Sequence, residues 1–363
     1  MISEGRIRME VVPLPPAVRG TAPSRSPPIG VEPTRVTPRV SVVVINYRQW
    51  RRTHQLVNQL LQSSAADRGL IEVVVVDNNS PAHPIASRLR RWSGVALRRW
   101  QRNRGFARAA NEGCRLSRGE WVLLLNPDVT LPTDFIENLI RLTEELHTQQ
   151  PRVGVVGFRL CNTDGSPQLS AGAWPTLTGT LGGLARPRHH RKYRALTADE
   201  RVQVPWVTGC CFLVRQACGQ QLGGFDERYF LYYEDVDFCR RAHDAGWSVW
   251  FEPALHAVHH RPLHSRRVSA QLRCYTRHAL LTYAMLHWPE WQAKLLSGVV
   301  WAEARVRSWW SRFQGKQKDS RLFGELASLA IDFVRNDPVR ARRRLDRLVR
   351  RTDRRAIAVP QKG

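Results

Sequence analysis

The sequence predicts an α/β domain with a mostly parallel sheet, on three observations: short β-branched runs, helical spacing between them, and polar turns where the runs stop. Residues 40–45, Val-Ser-Val-Val-Val-Ile, form the first run, nearly continuous in apolar residues as a strand covered on both faces should be. Leu56, Leu60 and Leu61 then recur at helical spacing within residues 51–62, completing one βα unit. Residues 71–76 repeat the strand pattern and stop at Asp77-Asn78-Asn79-Ser80-Pro81. Residues 121–125 form a third strand that stops at Asn126-Pro127-Asp128. A helix-like stretch follows at 135–146, and residues 153–157 read as a fourth strand. In parallel sheets ligands gather beyond the carboxyl ends of the strands, where Asn46, Asp77 and Asp128 fall.

The rest of the chain divides by composition. Residues 1–38 are rich in proline without apolar periodicity and read as a disordered leader. The α/β domain is expected over 39–264, a helical Trp- and Arg-rich extension over 265–315, and a basic helical tail over 316–363. The net charge is +25, and 22 Lys+Arg against 8 Asp+Glu between Leu263 and Gly363 contribute +14 of it. Such an excess signals an anionic partner: nucleic acid, an acidic membrane surface or a phosphorylated substrate. Seven cysteines, none spaced C-x-x-C, indicate neither a disulfide framework nor a zinc knuckle and fit a reducing compartment. With no apolar run near the roughly 18 residues that span a bilayer, and no signal-peptide core, the protein is expected on the cytoplasmic side.

Several acids and turns could carry chemistry. Asp128 follows a strand on a turn stiffened by Pro127, so its carboxylate can project into the cleft and hold a divalent cation; a plain Asn-Pro-Asp turn explains the same letters. Asp77 can accept the imino proton of a base or simply close its turn. Small residues around Arg104 and Arg108 allow close backbone approach to phosphates, or merely start a surface helix. The strongest signal is Gly223-Gly-Phe-Asp-Glu227 followed by Phe230-Leu-Tyr-Tyr-Glu-Asp-Val-Asp237, since adjacent aromatics call for burial and carboxylates resist it. Asp235, kept near those rings, suits a general base; alternatively Glu234 and Asp235 cap a helix over 236–245 in which Asp237 pairs with Arg241. His256, His259, His260 and His264 follow a strand at 248–251 and read either as metal ligands or as a solvated loop.

Taken in order, these blocks resemble the inverting family-2 glycosyltransferases of GT-A fold, in detail the rhamnosyltransferase-like bacterial branch. The resemblance runs from Arg39 to His264. It rests on Ser41 to Tyr47, Val74 to Ser80, Asn103-Arg-Gly-Phe106 with Asn111, Leu124 to Asp128, the Gly223 to Asp237 segment, and Pro253-Ala with Val258-His-His260. It implies a transfer of one sugar from a nucleotide-diphosphate donor, dTDP-rhamnose being its first suggestion, to an acceptor hydroxyl on a lipid-linked or cell-surface glycan. In that scheme Asn46, Tyr47 and Asp77 line the nucleoside pocket, Asn103 and Gly105 wall the diphosphate, and Asn126 also touches the donor. Asp128 holds Mg²⁺ or Mn²⁺, His259 is a further ligand, and Asp235 is the catalytic base. Two departures stand out: Asn126 replaces a frequent second aspartate of the acidic motif, and Arg48 replaces a small polar residue.

The C-terminal Trp and Arg interleaving, with Leu295, Val299 and Val306 at helical spacing, suits either a surface resting on anionic lipid or helices packed on the domain. Two rival readings remain. One is a basic nucleic-acid-binding protein, though no nucleic-acid motif accompanies the charge and no such partner is expected. The other is a glycoside hydrolase built on a carboxylate pair, which would need neither metal nor nucleotide.

Overall fold

The computed structural model describes residues 37–183, 199–260 and 268–357. The leader up to residue 36, His264 and the last six residues of the tail lie outside them. The first half of the fold contains β1 (Val40–Asn46), α1 (Trp50–Leu61), α2 (Ser64–Asp67), β2 (Ile71–Asn78), α3 (Pro84–Leu89), β3 (Val95–Trp100), α4 (Phe106–Leu116) and β4 (Trp121–Leu125). Then come β5 (Val129–Thr130), α5 (Phe135–Gln149), β6 (Val153–Cys161), β7 (Pro167–Gln168), β8 (Ala171–Gly172) and α6 (Leu177–Gly183). The chain continues through β9 (Val202–Gln203), β10 (Trp206–Val207), β11 (Cys211–Arg215), α7 (Gln216–Gln221), α8 (Glu234–Asp244) and β12 (Ser248–His259). It closes with four helices, α9 (Ala270–His287), α10 (Glu290–Phe313), α11 (Gln317–Val334) and α12 (Pro338–Ile357).

The central sheet runs β3-β2-β1-β4-β11-β6-β12-β5. Of its seven strands of five residues or more, six point the same way and β11 is reversed. The strand runs are continuously apolar because both faces are covered. Val42, Val44, Val73, Val75, Leu123 and Leu125 pack with Leu56, Leu60 and Leu139 on one side. Val43, Val74, Val76, Val122 and Leu124 pack with Ala107, Ala110 and Phe238 on the other. Each such side chain contributes about 1.5–3 kcal/mol when fully buried. Helix α4 lies so close to β1 that a Cβ at Gly113 would overlap the Val43 side chain.

Strand register sets up the site. Parallel pairing aligns Asn46 with Asp77, and Asp77 with Arg99. Antiparallel pairing sets Cys211 opposite Leu125, so Gly209 and Cys210 lie beside the turn that carries Asp128. Strand β12 is longer than the sequence signal at 248–251; past an irregularity between Glu252 and His256 it continues to His259, which pairs with Val129. The C-terminal helices share their own core, in which Cys274, Leu281, Leu296, Val300, Leu326 and Leu345 are buried, and Phe230 and Leu177 join it to the sheet domain.

Candidate active site

Asp128 and His259 meet at the end of the sheet, with Asp128 Oδ1 and His259 Nε2 3.7 Å apart. The Asp128 carbonyl accepts from the His260 amide at 2.9 Å, which ties the turn to the end of β12. Gln168 fixes the imidazole. Its Nε2 donates to the carbonyls of Cys161 and His259 at 3.1 and 2.6 Å, so its Oε1 is the atom facing His259 Nδ1 at 3.1 Å. An amide oxygen only accepts, so Nδ1 carries a proton and Nε2 is the ring nitrogen turned toward Asp128. A carboxylate and a neutral imidazole are suitable donors for a divalent cation, and metal bonds of about 2.0–2.2 Å let one ion reach both. Among the described residues no group of three or more His, Cys, Asp or Glu forms a complete cage. This pair therefore fits an ion that takes its remaining ligands from phosphate oxygens and water. His256 is exposed and His260 bonds Thr130, so among the described histidines of this cluster only His259 faces Asp128.

Asp235 stands in the first turn of α8 and is 6% exposed. Its Oδ2 accepts from the Gly209 amide at 3.0 Å and its Oδ1 from its neighbour Val236 at 2.9 Å, so main-chain donors hold it as well as the aromatic wall. Tyr232 and Tyr233, immediately before, both have left-handed backbone at φ 73° and 67°, a costly conformation for bulky side chains. Gly209 continues into Cys210, whose carbonyl accepts from the Asn126 amide at 3.0 Å. Burial, then the charges of Asp128 and Asp235, push the Cys210 thiol up. Both carboxylates thus converge on the Gly209-Cys210 link. Asp237 takes the other reading of its segment, bonded by Arg241 at 2.8 Å and by His287 of α9 at 2.8 Å.

The nucleoside residues divide. Asn46 and Asp77, both fully buried, bond each other at 2.9 Å. Asn46 also bonds Ser80 and Thr53, while Asp77 accepts from the Ser80 amide and, at 2.9 Å, from Arg99. Burial raises the Asp77 carboxyl above its ordinary value, against hydrogen bonds from Ser80, Arg99 and Asn46. The resemblance assigns both to the nucleoside pocket; here strand register sets them side by side, buried and bonded to each other and to Ser80, Thr53 and Arg99. Tyr47 does reach the surface of this region, but its hydroxyl donates to Asp353 of α12 at 2.6 Å. Asp353 is 7% exposed and also contacts Arg48 and Asn79.

Asn103 accepts from Asn78 Nδ2 and from the Gly105 amide, both at 3.0 Å, while the Arg104 amide donates to Asn78 Oδ1 at 2.8 Å. Gly105 has φ 93°, and a Cβ there would stand 2.5 Å from the Phe230 carbonyl. Only glycine lets this loop touch the segment leading to Asp235. A cavity of about 1010 Å³ opens between the loop and α12, with Asn79, Arg99, Asn103 and Arg104 on one wall and Arg350 and Asp353 on the other. Asp128, His259 and Asp235 do not line it.

Residues 41–220 match Glycosyl transferase family 2. The chain carries a family 2 glycosyltransferase domain. This glycosyltransferase is 29% identical over 280 residues to N-acetylglucosaminyl-diphospho-decaprenol L-rhamnosyltransferase of Mycobacterium tuberculosis, covering 72% of this chain and 89% of that one. To the low-salt glycan biosynthesis hexosyltransferase Agl10 of Haloferax volcanii it is 25% identical over 246 residues, covering 65% and 72%. Among solved structures it is similar to S. aureus TarS 1-349 in complex with UDP-GlcNAc, at TM-score 0.47 and 15% identity over 85% of this chain and 90% of that one. It is also similar to the mannosyltransferase PcManGT of Pyrobaculum calidifontis in complex with GDP-Man and Mn²⁺, at TM-score 0.47 and 17% identity over 83% and 88%.

Four residues that contact the candidate site residues escaped the sequence reading. Gln168 sits in a two-residue strand, Gly209 and Cys210 in an apolar stretch, and Asp353 in a basic helix. Only Asp353 left a trace, as one of two acids among the arginines of 339–355.

Proposed function

We propose that this glycosyltransferase is an inverting enzyme that moves a sugar, dTDP-rhamnose being the first donor to test, onto a hydroxyl of a lipid-linked or cell-surface glycan. It would do so from the cytoplasmic side at an anionic membrane surface. The observation that carries the reading is the convergence on the Gly209-Cys210 link: the Gly209 amide bonds Asp235, the Cys210 carbonyl bonds the turn that carries Asp128, and both carboxylates raise the Cys210 thiol. Asp128 and His259 would hold Mg²⁺ or Mn²⁺, with Gln168 orienting the imidazole as outer partners of metal ligands do. Bound together with the diphosphate, the ion offsets the charge on the leaving group. Asp235 takes the acceptor proton as that oxygen bonds the anomeric carbon; the bond from that carbon to the phosphate oxygen breaks, and the nucleoside diphosphate departs. One displacement inverts the anomeric centre and needs no enzyme nucleophile.

The Asn103–Gly105 loop keeps its place as the wall beside the diphosphate, with Arg104 next to it. Asn126 positions Asp128, and its contact with the donor is part of the same proposal. Tyr47 remains the nucleoside contact once Asp353 yields its hydroxyl, whereas Asn46 and Asp77 support it from behind.

The deciding experiment incubates the purified protein with a panel of nucleotide sugars and a short lipid-linked acceptor, with Mn²⁺ or with EDTA, and reads the anomer of the product by NMR. Metal-dependent transfer with inversion is expected. Retention of configuration, or turnover that survives chelation, would overturn the reading, and the latter would favour the carboxylate-pair hydrolase.

A further inference from the structure

Of the nine large apolar side chains exposed among the described residues, seven lie on the single helix α10. Trp291 is 62% exposed, Trp309 65% and Phe313 75%, far from the burial such side chains usually find. At 3.6 residues per turn, Trp291, Leu295, Val306, Trp309 and Phe313 fall within about 60° of one another around the helix axis. Leu296, Val300 and Ala304, which are buried in the core of the C-terminal helices, lie on the opposite side. Helix α10 therefore has two apolar faces, one packed and one open. The open face ends in an aromatic cluster, with Trp310 and Phe313 stacked at 5.7 Å and Trp309 and Phe313 at 6.1 Å. Lys294, Arg305 and Arg312, all exposed, follow one edge of the stripe.

We infer that the open face of α10 is the membrane-contacting surface of this protein, lying in the headgroup layer of an anionic bilayer with its tryptophans at the acyl boundary. A row of exposed apolar side chains spread over about 33 Å of one helix face, at 1.5 Å rise per residue, exceeds what a soluble surface leaves open without a partner. Tryptophan and phenylalanine flanked by Arg and Lys are the composition of an interfacial helix, since the rings prefer the boundary and the cations meet lipid phosphates. The excess of +14 over the last hundred residues adds attraction to the same surface. A second copy of the chain fits less well, because pairing two such stripes brings the basic edges of both copies together. No helix among the described residues is long and apolar enough to cross a membrane, so the contact is with one leaflet. This inference deepens the proposed function, on which it rests for the lipid-linked nature of the acceptor.

The test uses the full chain and vesicles of phosphatidylcholine with and without phosphatidylglycerol, read by co-sedimentation. Wild type should pellet with the anionic vesicles and be released by salt. The double variant Trp309→Ser with Phe313→Ser should bind them at least tenfold more weakly, with an unchanged melting temperature. Vesicle binding equal to wild type in that variant would overturn the inference. So would a wild-type dimer, seen by light scattering, that the variant dissolves. Binding of a nucleoside diphosphate with Mn²⁺ is measured on both proteins in solution. If neither binds it but only wild type pellets, the transferase reading fails while the membrane surface stands; if both bind it and neither pellets, the reverse holds.

Discussion

The Tyr47 hydroxyl and the Asp353 carboxylate, 306 residues apart in sequence, are joined by a hydrogen bond of 2.6 Å. It fastens α12 against the sheet domain at the point where the family 2 resemblance assigns nucleoside contact. Burial first, then Asp353, pushes the Tyr47 phenol up, so the phenol stays protonated and donates. A nucleotide that needs this hydroxyl must compete with Asp353. Asp353→Ala should therefore tighten binding of a nucleoside diphosphate by two- to tenfold, about the worth of one hydrogen bond. It should also lower amide-exchange protection near the end of α12. An unchanged affinity, measured by calorimetry, takes Tyr47 out of the donor pocket.

Gln168 bears on the proposed cation seat through His259, whose Nδ1 it bonds at 3.1 Å. Replacing it by Leu removes the acceptor for His259 Nδ1, freeing the ring to rotate and to shift its proton to Nε2. Mn²⁺ affinity in the presence of a nucleoside diphosphate, followed by electron paramagnetic resonance, should fall by about tenfold, in the range of outer-partner substitutions. Asp128→Asn should cost more than Gln168→Leu. Equal affinities across wild type and both variants would remove this corner as the metal seat.

What the sequence could and could not disclose follows from range. Strands β1, β2 and β4 were legible because burial on both faces demands continuous apolar residues. Strand β3 was not, since Arg98 and Arg99 interrupt it, and Arg99 is there to pair with Asp77. Asp128 stood out as an acid just past an apolar strand, and Asp235 as one beside an aromatic run. The inward turn of Asn46 and Asp77 is a matter of register between two strands, and the capture of Tyr47 depends on how a helix from the far end of the chain docks. Neither leaves a local pattern.

Asp235→Asn tests the base. Asparagine keeps the size and still offers an oxygen to the Gly209 amide, so the fold and donor affinity should hold. Without a carboxylate to take the hydroxyl proton, kcat/KM should drop by about 10² to 10⁴. Donor affinity by calorimetry and transfer by product formation separate the two effects. Turnover within tenfold of wild type assigns the proton to another acceptor.

His278 makes a prediction about acid stability. It is buried on α9 against Phe333 of α11, its Nε2 has no hydrogen-bond partner among the described residues, and burial, with help from Arg342 of α12, pushes its pKa down to about 3. In the unfolded chain the same imidazole takes its proton near 6.5. Above that value both states bind the same number of protons and His278 has no effect on pH dependence. As pH falls from 6.5 toward 3, the unfolded state binds one proton more, so stability declines by up to about 1.4 kcal/mol per pH unit from this group. His278→Leu removes the titration and the orphaned nitrogen together. Urea midpoints measured across that window should fall less steeply with acid for the variant than for wild type, with the two curves parallel above 6.5. Parallel curves throughout the window would mean that the imidazole gains its proton without leaving the core.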